Sequence, residues 1–157
     1  MGFLNLERKL KFADHVDGYR PDQLFDYGRN ASLVPRPPGF SLYVPGNTFN
    51  PGVDVRIELK SEALRLDIGF EGKVDSCSLE SGIAVSGLAK PLGHAEMWLK
   101  MNPSELNGTD LDYGIVLTAA NMSMLPIVMT AQGLLKVSAA RFADQYRNNV
   151  IQAIESA

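Results

Sequence analysis

The sequence predicts an α+β domain in which a curved antiparallel β-sheet wraps around a long C-terminal α-helix, with short helices after the first strand. Three observations carry that expectation. From Val53 onward apolar and polar residues alternate with the period of a strand that is dry on one face and wet on the other. Short Pro, Gly and Asn links separate these runs, which joins neighbours antiparallel. Over residues 125–157 the period changes to steps of three and four, through Leu135, Ala139, Phe142, Tyr146, Val150 and Ile154. Lys136, Arg141, Asp144, Arg147 and Asn148 fall mostly on the other faces. A helix of that length has more apolar surface than a loop can cover, and a one-sided sheet needs a lid, so each is expected to cover the other.

The elements follow in order. Residues 4–16 begin with Leu4, Leu6, Leu10 and Phe12 on one parity, shared by Arg8 and Asp14, and read as a first strand broken by Gly18. Residues 20–27 place Pro21 in a first helical turn with Asp22 beside it, so a short helix is expected with Leu24, Phe25 and Gly28 facing inward. Between Asn30 and Gly52 stand Pro35, Pro37, Pro38, Pro45 and Pro51, which leave room for a helical turn over 31–34 and a strand over 40–44. Phe40, Leu42, Tyr43, Val44 and Phe49 anchor this segment as a folded connection, since a solvated linker would lack them.

Val53, Val55, Ile57 and Leu59 then alternate with charged residues, and Leu64, Leu66, Ile68 and Phe70 repeat the pattern. Ser61-Glu62 is short enough to make these two runs, 53–60 and 64–71, a hairpin. Further strands are expected over 82–90, 95–101 and 109–120, separated by Pro91-Leu92-Gly93 and by the 102–108 link with its Asn102-Pro103 and Asn107-Gly108 pairs. The sum is a meander of five or six strands in one unit, 1–157, with no internal repeat.

Composition narrows the function. At 157 residues, with 45% hydrophobic and 21% charged side chains, the chain can bury a core of its own. The net charge of −3, with basic and acidic residues interspersed, gives no footprint for nucleic acid. A single cysteine, Cys77, excludes an intrachain disulfide, and with only His15 and His94 beside it no zinc-finger ligand set exists. No cofactor is implied. The start MGFLNLERKL is too polar for a signal peptide, and residues 122–137 are interrupted by Ser123, Pro126, Thr130, Gln132, Gly133 and Lys136. The expected location is the cytoplasm, or the periphery of a membrane.

Strand parity assigns an inner face: Val55 and Ile57, then Leu66, Ile68 and Phe70, then Val85, then Met97 and Leu99, then Tyr113, Ile115 and Leu117. Leu135 and Phe142 stand opposite on the helix. Parity alone fits a filled core and a hollow one equally. Gly69, Gly72, Ser76, Gly82, Gly87 and Gly114 fall within strand patterns, where small residues mark bulges or curvature that leaves room under a helix. Met97, Met101, Met122, Met124 and Met129 supply adaptable apolar surface, and residues 122–133 mix Met, Pro and Gly where a pocket mouth or gate is expected. Tyr113 could offer its hydroxyl to a ligand carbonyl from the inner face.

His15, Glu71, Asp75, His94 and Tyr113 are the candidates for acid–base work, and they form no motif. The two histidines are expected at the surface or at strand ends. Cys77 has no basic neighbour in sequence and reads as a buried structural thiol. An enzyme is therefore the less favoured expectation.

The order of elements resembles the helix-grip fold of the START-like superfamily, also called SRPBCC, which includes the birch pollen allergens and the polyketide cyclases. Within it the chain is most similar to the family of the G-type accessory subunit of carbon monoxide dehydrogenase. The resemblance rests on Pro21-Asp22-Gln23-Leu24-Phe25-Asp26-Tyr27, the Pro38-Gly39 turn, Gly69-Phe70-Glu71-Gly72-Lys73-Val74 and Ala139-Ala140-Arg141-Phe142-Ala143-Asp144-Gln145-Tyr146. It implies a cavity between sheet and helix that takes a hydrophobic or amphipathic molecule, lipid-like or quinone-like, against the inner-face residues named above. It further implies an accessory role to a molybdenum hydroxylase, attaching that oxidoreductase complex to the membrane surface or the quinone pool. The alternative is an enzyme of the polyketide cyclase or aromatase kind, shaping a reactive chain with Tyr113 or His15 as proton donor or acceptor. The chain departs from the family at Pro35-Arg36-Pro37-Pro38-Gly39, where members usually have an ordinary helical turn, so its cavity entrance is expected to differ.

Overall fold

Turn chemistry sets the element boundaries in the computed structural model, which describes residues 5–157. Strand β1 (Glu7–Val16) stops before Gly18, whose φ of 81° lies in the left-handed region that glycine enters freely. Helix α1 (Pro21–Gly28) opens on a proline whose fixed φ suits a first turn, and Gln23 accepts the Arg20 N–H at 3.0 Å. A 3-10 turn over Ala31–Leu33 is capped by Asn30, whose side chain accepts the Ser32 N–H. After the proline-rich loop come β2 (Phe40–Tyr43), β3 (Asp54–Ser61), β4 (Leu66–Ser78), β5 (Gly82–Lys90), β6 (Gly93–Pro103) and β7 (Thr109–Ala119). The chain closes with α2 (Leu125–Glu155), led in by Asn121, which caps the N–H groups of Ser123 and Met124.

All seven strands pair antiparallel in the order β1-β7-β6-β5-β4-β3-β2. The first link explains that order: α1 and the proline-rich loop carry the chain from one edge to the other, and the meander β2 to β7 then returns to lie beside β1. The expected run of five or six strands is thus six, and β1 brings the sheet to seven.

Two expectations need correction. Leu64 does not enter a strand: residues 62–65 form the hairpin turn, Arg65 adopts φ 52°, and Leu64 is 44% exposed. The Ser61-Glu62 link is accordingly longer than the sequence suggests. Nor does β4 end at Glu71; it runs on to Ser78 through a β-bulge between Val74 and Ser76 that leaves Asp75 without a partner. Beyond Phe70 the inward parity carries Gly72 and Val74, and past the bulge at Asp75 come Ser76 and Cys77, mostly small residues that blur a period-two pattern. Leu4 lies outside the described residues.

Curvature has a visible cause at the β4–β5 pair. Gly72 and Gly87 are register partners, and a Cβ on Gly87 would overlap the Glu71 carbonyl and the Gly72 Cα. Only hydrogen at both positions lets the two backbones close in while the sheet bends.

The sheet grips α2 at both edges. Arg147 reaches Asp14 on β1 at 2.7 Å, and the Phe142 ring meets Phe40 on β2 edge to face at 5.5 Å between centroids. Beneath the helix, the Tyr146 hydroxyl donates to the Gly28 carbonyl at the end of α1, and Asn149 donates to the Leu33 carbonyl at 2.9 Å. Near the C-terminus Tyr19 donates to Glu155 at 2.6 Å. The segment Met122–Glu155 is long enough, and at a mean hydropathy of 1.2 over its best window apolar enough, to cross a membrane by those measures. Its apolar stripe is used against the sheet, yet only 11% of that window is buried, because part of the stripe borders the cavity and the opposite side, with Met129 and Val137, faces solvent.

Candidate ligand cavity

The concave face of the sheet, the middle of α2 and the loop 35–39 enclose a cavity of about 1050 Å³. Val55, Ile57 and Leu59 of β3, Ile68 and Phe70 of β4, and Ile83 and Val85 of β5 form one wall. Met97, Leu99 and Met101 of β6 and Leu111, Tyr113, Ile115 and Leu117 of β7 form the next, with Phe12 of β1 at its edge. Leu134, Leu135, Ala139 and Phe142 roof it from α2. Ile57, Leu59, Met97, Leu99, Ile115, Leu135 and Phe142 point inward yet remain only half-buried. Residues on a core-facing parity lose that much contact only when the space before them is unfilled.

Twelve of the thirteen residues expected from strand parity and helix period line this space; Leu66 does not. It shares the face, but stands at the hairpin end of β4 opposite Ser61 and packs into the buried core cluster instead. Parity fixes which face a side chain takes, not how deep along the strand the void extends.

Of residues 122–133, where a mouth or gate is expected, only the buried Ala131 touches the cavity. Met122, Met124 and Met129 are absent from the cavity walls, Met122 and Met129 are exposed, and Val128 and Ala131 beside them are fully buried. The mouth lies instead where Arg36, Pro37 and Pro38 of the loop meet Lys60 and Ser61 of β3 and Ser138 and Arg141 of α2. Helical periodicity put Arg141 and Arg147 among the wet residues, although both border the cavity. For Arg147 one signal was present in the sequence, an acid at Asp14 on the inward parity of the first strand.

Tyr113 stacks on Phe12 with ring centroids 5.3 Å apart, and its hydroxyl makes no hydrogen bond among the described residues. Burial pushes its phenol up, Asp14 and Asp144 add to the rise, and Arg147 opposes it, so the group is a neutral donor at physiological pH. The other acid–base candidates do not join it. His15 sits at the end of β1, outside the cavity, bonded to Asp110 at 2.8 Å and Asp17 at 2.7 Å. The Asp110 and then the Asp17 hydrogen bond raise its pKa. His94, Glu71 and Asp75 are exposed, and Glu71 faces Arg56 across the β3–β4 ladder at 3.8 Å. Cys77 is half-buried, and burial raises its thiol pKa against the opposing charge of Arg29. Among the described residues no three His, Cys, Asp or Glu side chains converge on a metal position. A second depression, open and polar, lies among Asp26, Arg29, Asn30, Ser32 and the 46–48 turn.

No protein-family model matches the chain, and no curated protein sequence matches it. Solved structures do. Ara h 8.0201 superposes with a TM-score of 0.65 at 13% identity, over 93% of this chain and 99% of that one. The di-domain ARO/CYC StfQ from the steffimycin biosynthetic pathway gives a TM-score of 0.67 at 17% identity, over 96% of this chain and 52% of that one. A protein of Rhodobacter sphaeroides gives 0.59 at 18% identity, over 95% and 93%. At such identities the likeness speaks for the fold. A seven-stranded curved antiparallel sheet gripping a long C-terminal helix is the helix-grip fold, and this chain has it.

Proposed function

We propose that this chain is a non-catalytic binding protein that takes a hydrophobic or amphipathic small molecule between its sheet and α2. One observation carries the reading: inward-facing apolar side chains on β3, β6, β7 and α2 stay half-buried around an unfilled volume of about 1050 Å³. Dedicated ligand sites are commonly concave, mostly apolar and of roughly 300–1,000 Å³, with few polar groups. Native mass spectrometry of the purified protein, followed by titration with a panel of quinones and fatty acids, tests it. Copurification of an apolar molecule, or binding from the panel, is expected. If nothing copurifies and nothing in the panel binds, the reading fails.

A finer role rests on the resemblance of residues 69–74 and 139–146 to the G-type accessory subunit of carbon monoxide dehydrogenase. It is that of a small partner bringing a molybdenum hydroxylase to a lipid-like or quinone-like ligand, in the cytoplasm or at the membrane periphery. Pull-down of a molybdenum-containing hydroxylase from the native cell would support it, and a chain that binds its ligand without such a partner would remove it.

A cyclase or aromatase reading is favoured by one feature, the unpartnered Tyr113 hydroxyl on the cavity wall. With His15 outside the cavity, Tyr113 would act alone. Its test is Tyr113→Phe against poly-β-keto substrates: turnover that survives the substitution, or no turnover in the parent protein, excludes Tyr113 as proton donor.

A further inference from the structure

The charged side chains around the cavity are Arg36, Lys60, Arg141 and Arg147, and no Asp or Glu is among its lining residues. In a chain with 18 acidic and 15 basic residues, four charges of one sign on one cavity are a local reversal of the protein's overall charge. Arg147 is already neutralised, by Asp14 at 2.7 Å and Asp144 at 3.0 Å. Arg36, Lys60 and Arg141 have no acidic partner within ion-pair distance among the described residues, and residues 1–4, Met-Gly-Phe-Leu, contain no acid.

Arg36 and Arg141 flank one mouth, and Lys60 borders it from the end of β3, on the outward parity of Arg56 and Glu58 and opposite Asp67. The Lys60 N–H donates to the Gly39 carbonyl at 2.8 Å, which holds the end of β3 against the loop that carries Arg36. Phe40, the next residue after Gly39, meets the ring of Phe142, the neighbour of Arg141. The Arg36 guanidinium is itself held, donating to the Val34 carbonyl at 2.6 Å and the Ser32 carbonyl at 3.5 Å. Cations without an acidic partner at the rim of an apolar chamber favour a ligand that supplies the missing negative charge.

Resting on the binding reading above, we propose that the ligand is an anionic amphiphile. Its apolar body lies against the sheet, and a carboxylate or an equivalent acidic head sits at the mouth between Arg36, Lys60 and Arg141. The rim then selects acids over neutral molecules with the same tail, and the two open-ended readings of the chamber, lipid-like and quinone-like, separate by charge.

Titration calorimetry with dodecanoate, 1-dodecanol and dodecylamine tests this with one tail and three heads. Dodecanoate is expected to bind about tenfold tighter than dodecanol, with dodecylamine weakest, and its advantage to shrink as salt rises. In the Arg36→Gln/Lys60→Gln/Arg141→Gln variant, with its fold checked by circular dichroism, the ratio of acid to alcohol affinity falls to about one. Equal binding of dodecanoate and dodecanol by the parent protein overturns the anionic head and leaves the carrier reading standing. Failure of all three probes to bind overturns both. If the triple variant does not fold, the three-probe and salt comparison on the parent protein decides alone.

Discussion

Arg147 on the terminal helix donates a 2.7 Å bond to Asp14 on the first strand, joining residues 133 positions apart across the open edge of the sheet. Both side chains are a little over a quarter exposed, at 27% and 29%, and Asp144 holds the other guanidinium nitrogen at 3.0 Å. The pair closes one rim of the cavity and explains why an acid occupies the inward parity of β1.

Asp14→Asn keeps the shape of this contact and removes its charge. Partial solvation discounts the bond, so a loss of about 1 kcal/mol is expected. For a chain of this length that lowers Tm by roughly 3 °C. A double-mutant cycle with Arg147→Gln, read by urea denaturation, checks it. Additive single effects would mean that the two residues do not stabilise each other.

The β4–β5 approach gives a sharper expectation. A Cβ on Gly87 would overlap backbone atoms of Glu71 and Gly72, which cannot swing aside, whereas one on Gly69 would meet nothing within 4 Å. Gly87→Ala is expected to cost about 2–3 kcal/mol, and Gly69→Ala to be close to neutral. Chemical denaturation of both variants measures the difference, and equal effects would contradict the close approach.

Much of this architecture was legible in the sequence, and the gaps have physical causes. Residues 53–60 alternate cleanly because the apolar side chains of β3 all take the concave face, whereas 82–90 break the pattern at Leu88, which is exposed. The second half of β4 was legible only at Gly72 and Ser76, because small inward residues and then the unpaired Asp75 blur the alternation beyond Phe70. Strand parity placed most of the wall residues on the inner face, left out Ile83, and did not separate a hollow face from a filled one. The chamber mouth did not follow from it, because Arg36, Lys60 and Arg141 come together through loop geometry and an aromatic contact between Phe40 and Phe142 that no local pattern encodes. Arg141 sits on the flank of a helix whose periodicity marks it as wet, and wet it is, at the rim of a hollow.

His15 carries the pH dependence. Its ring nitrogens face Asp110 at 2.8 Å and Asp17 at 2.7 Å, while Asp14 accepts its backbone N–H at 2.8 Å. The Asp110 bond first, then the Asp17 bond, raise its folded pKa above the ordinary value of about 6.5. A raised histidine stabilises the fold when protonated, so the full contribution is present below pH of about 6.5 and disappears as pH rises through the folded value. NMR titration of the ring should find that raised midpoint. Asp110→Asn should bring it down, and a midpoint indifferent to that change would show that the carboxylate does not hold the ring.

A hollow core and a packed one respond oppositely to added volume, and Leu99 is the place to ask. It lies on β6 near the middle of the sheet, paired with Ile83 on one side and Tyr113 on the other, and it is half-buried on the chamber wall. In a solid core Leu99→Trp would force neighbours off their rotamers at a cost of about 1–3 kcal/mol. In the chamber the indole gains contacts with half-buried Ile115 and Leu135 and fills void, so the variant is expected to be more stable by about 1 kcal/mol. The same ring occupies the space of an acyl chain, so dodecanoate binding should be lost as stability rises. Measured together, a gain in denaturation midpoint with loss of binding fits a ligand chamber. Destabilisation with binding retained would place any ligand elsewhere on the protein.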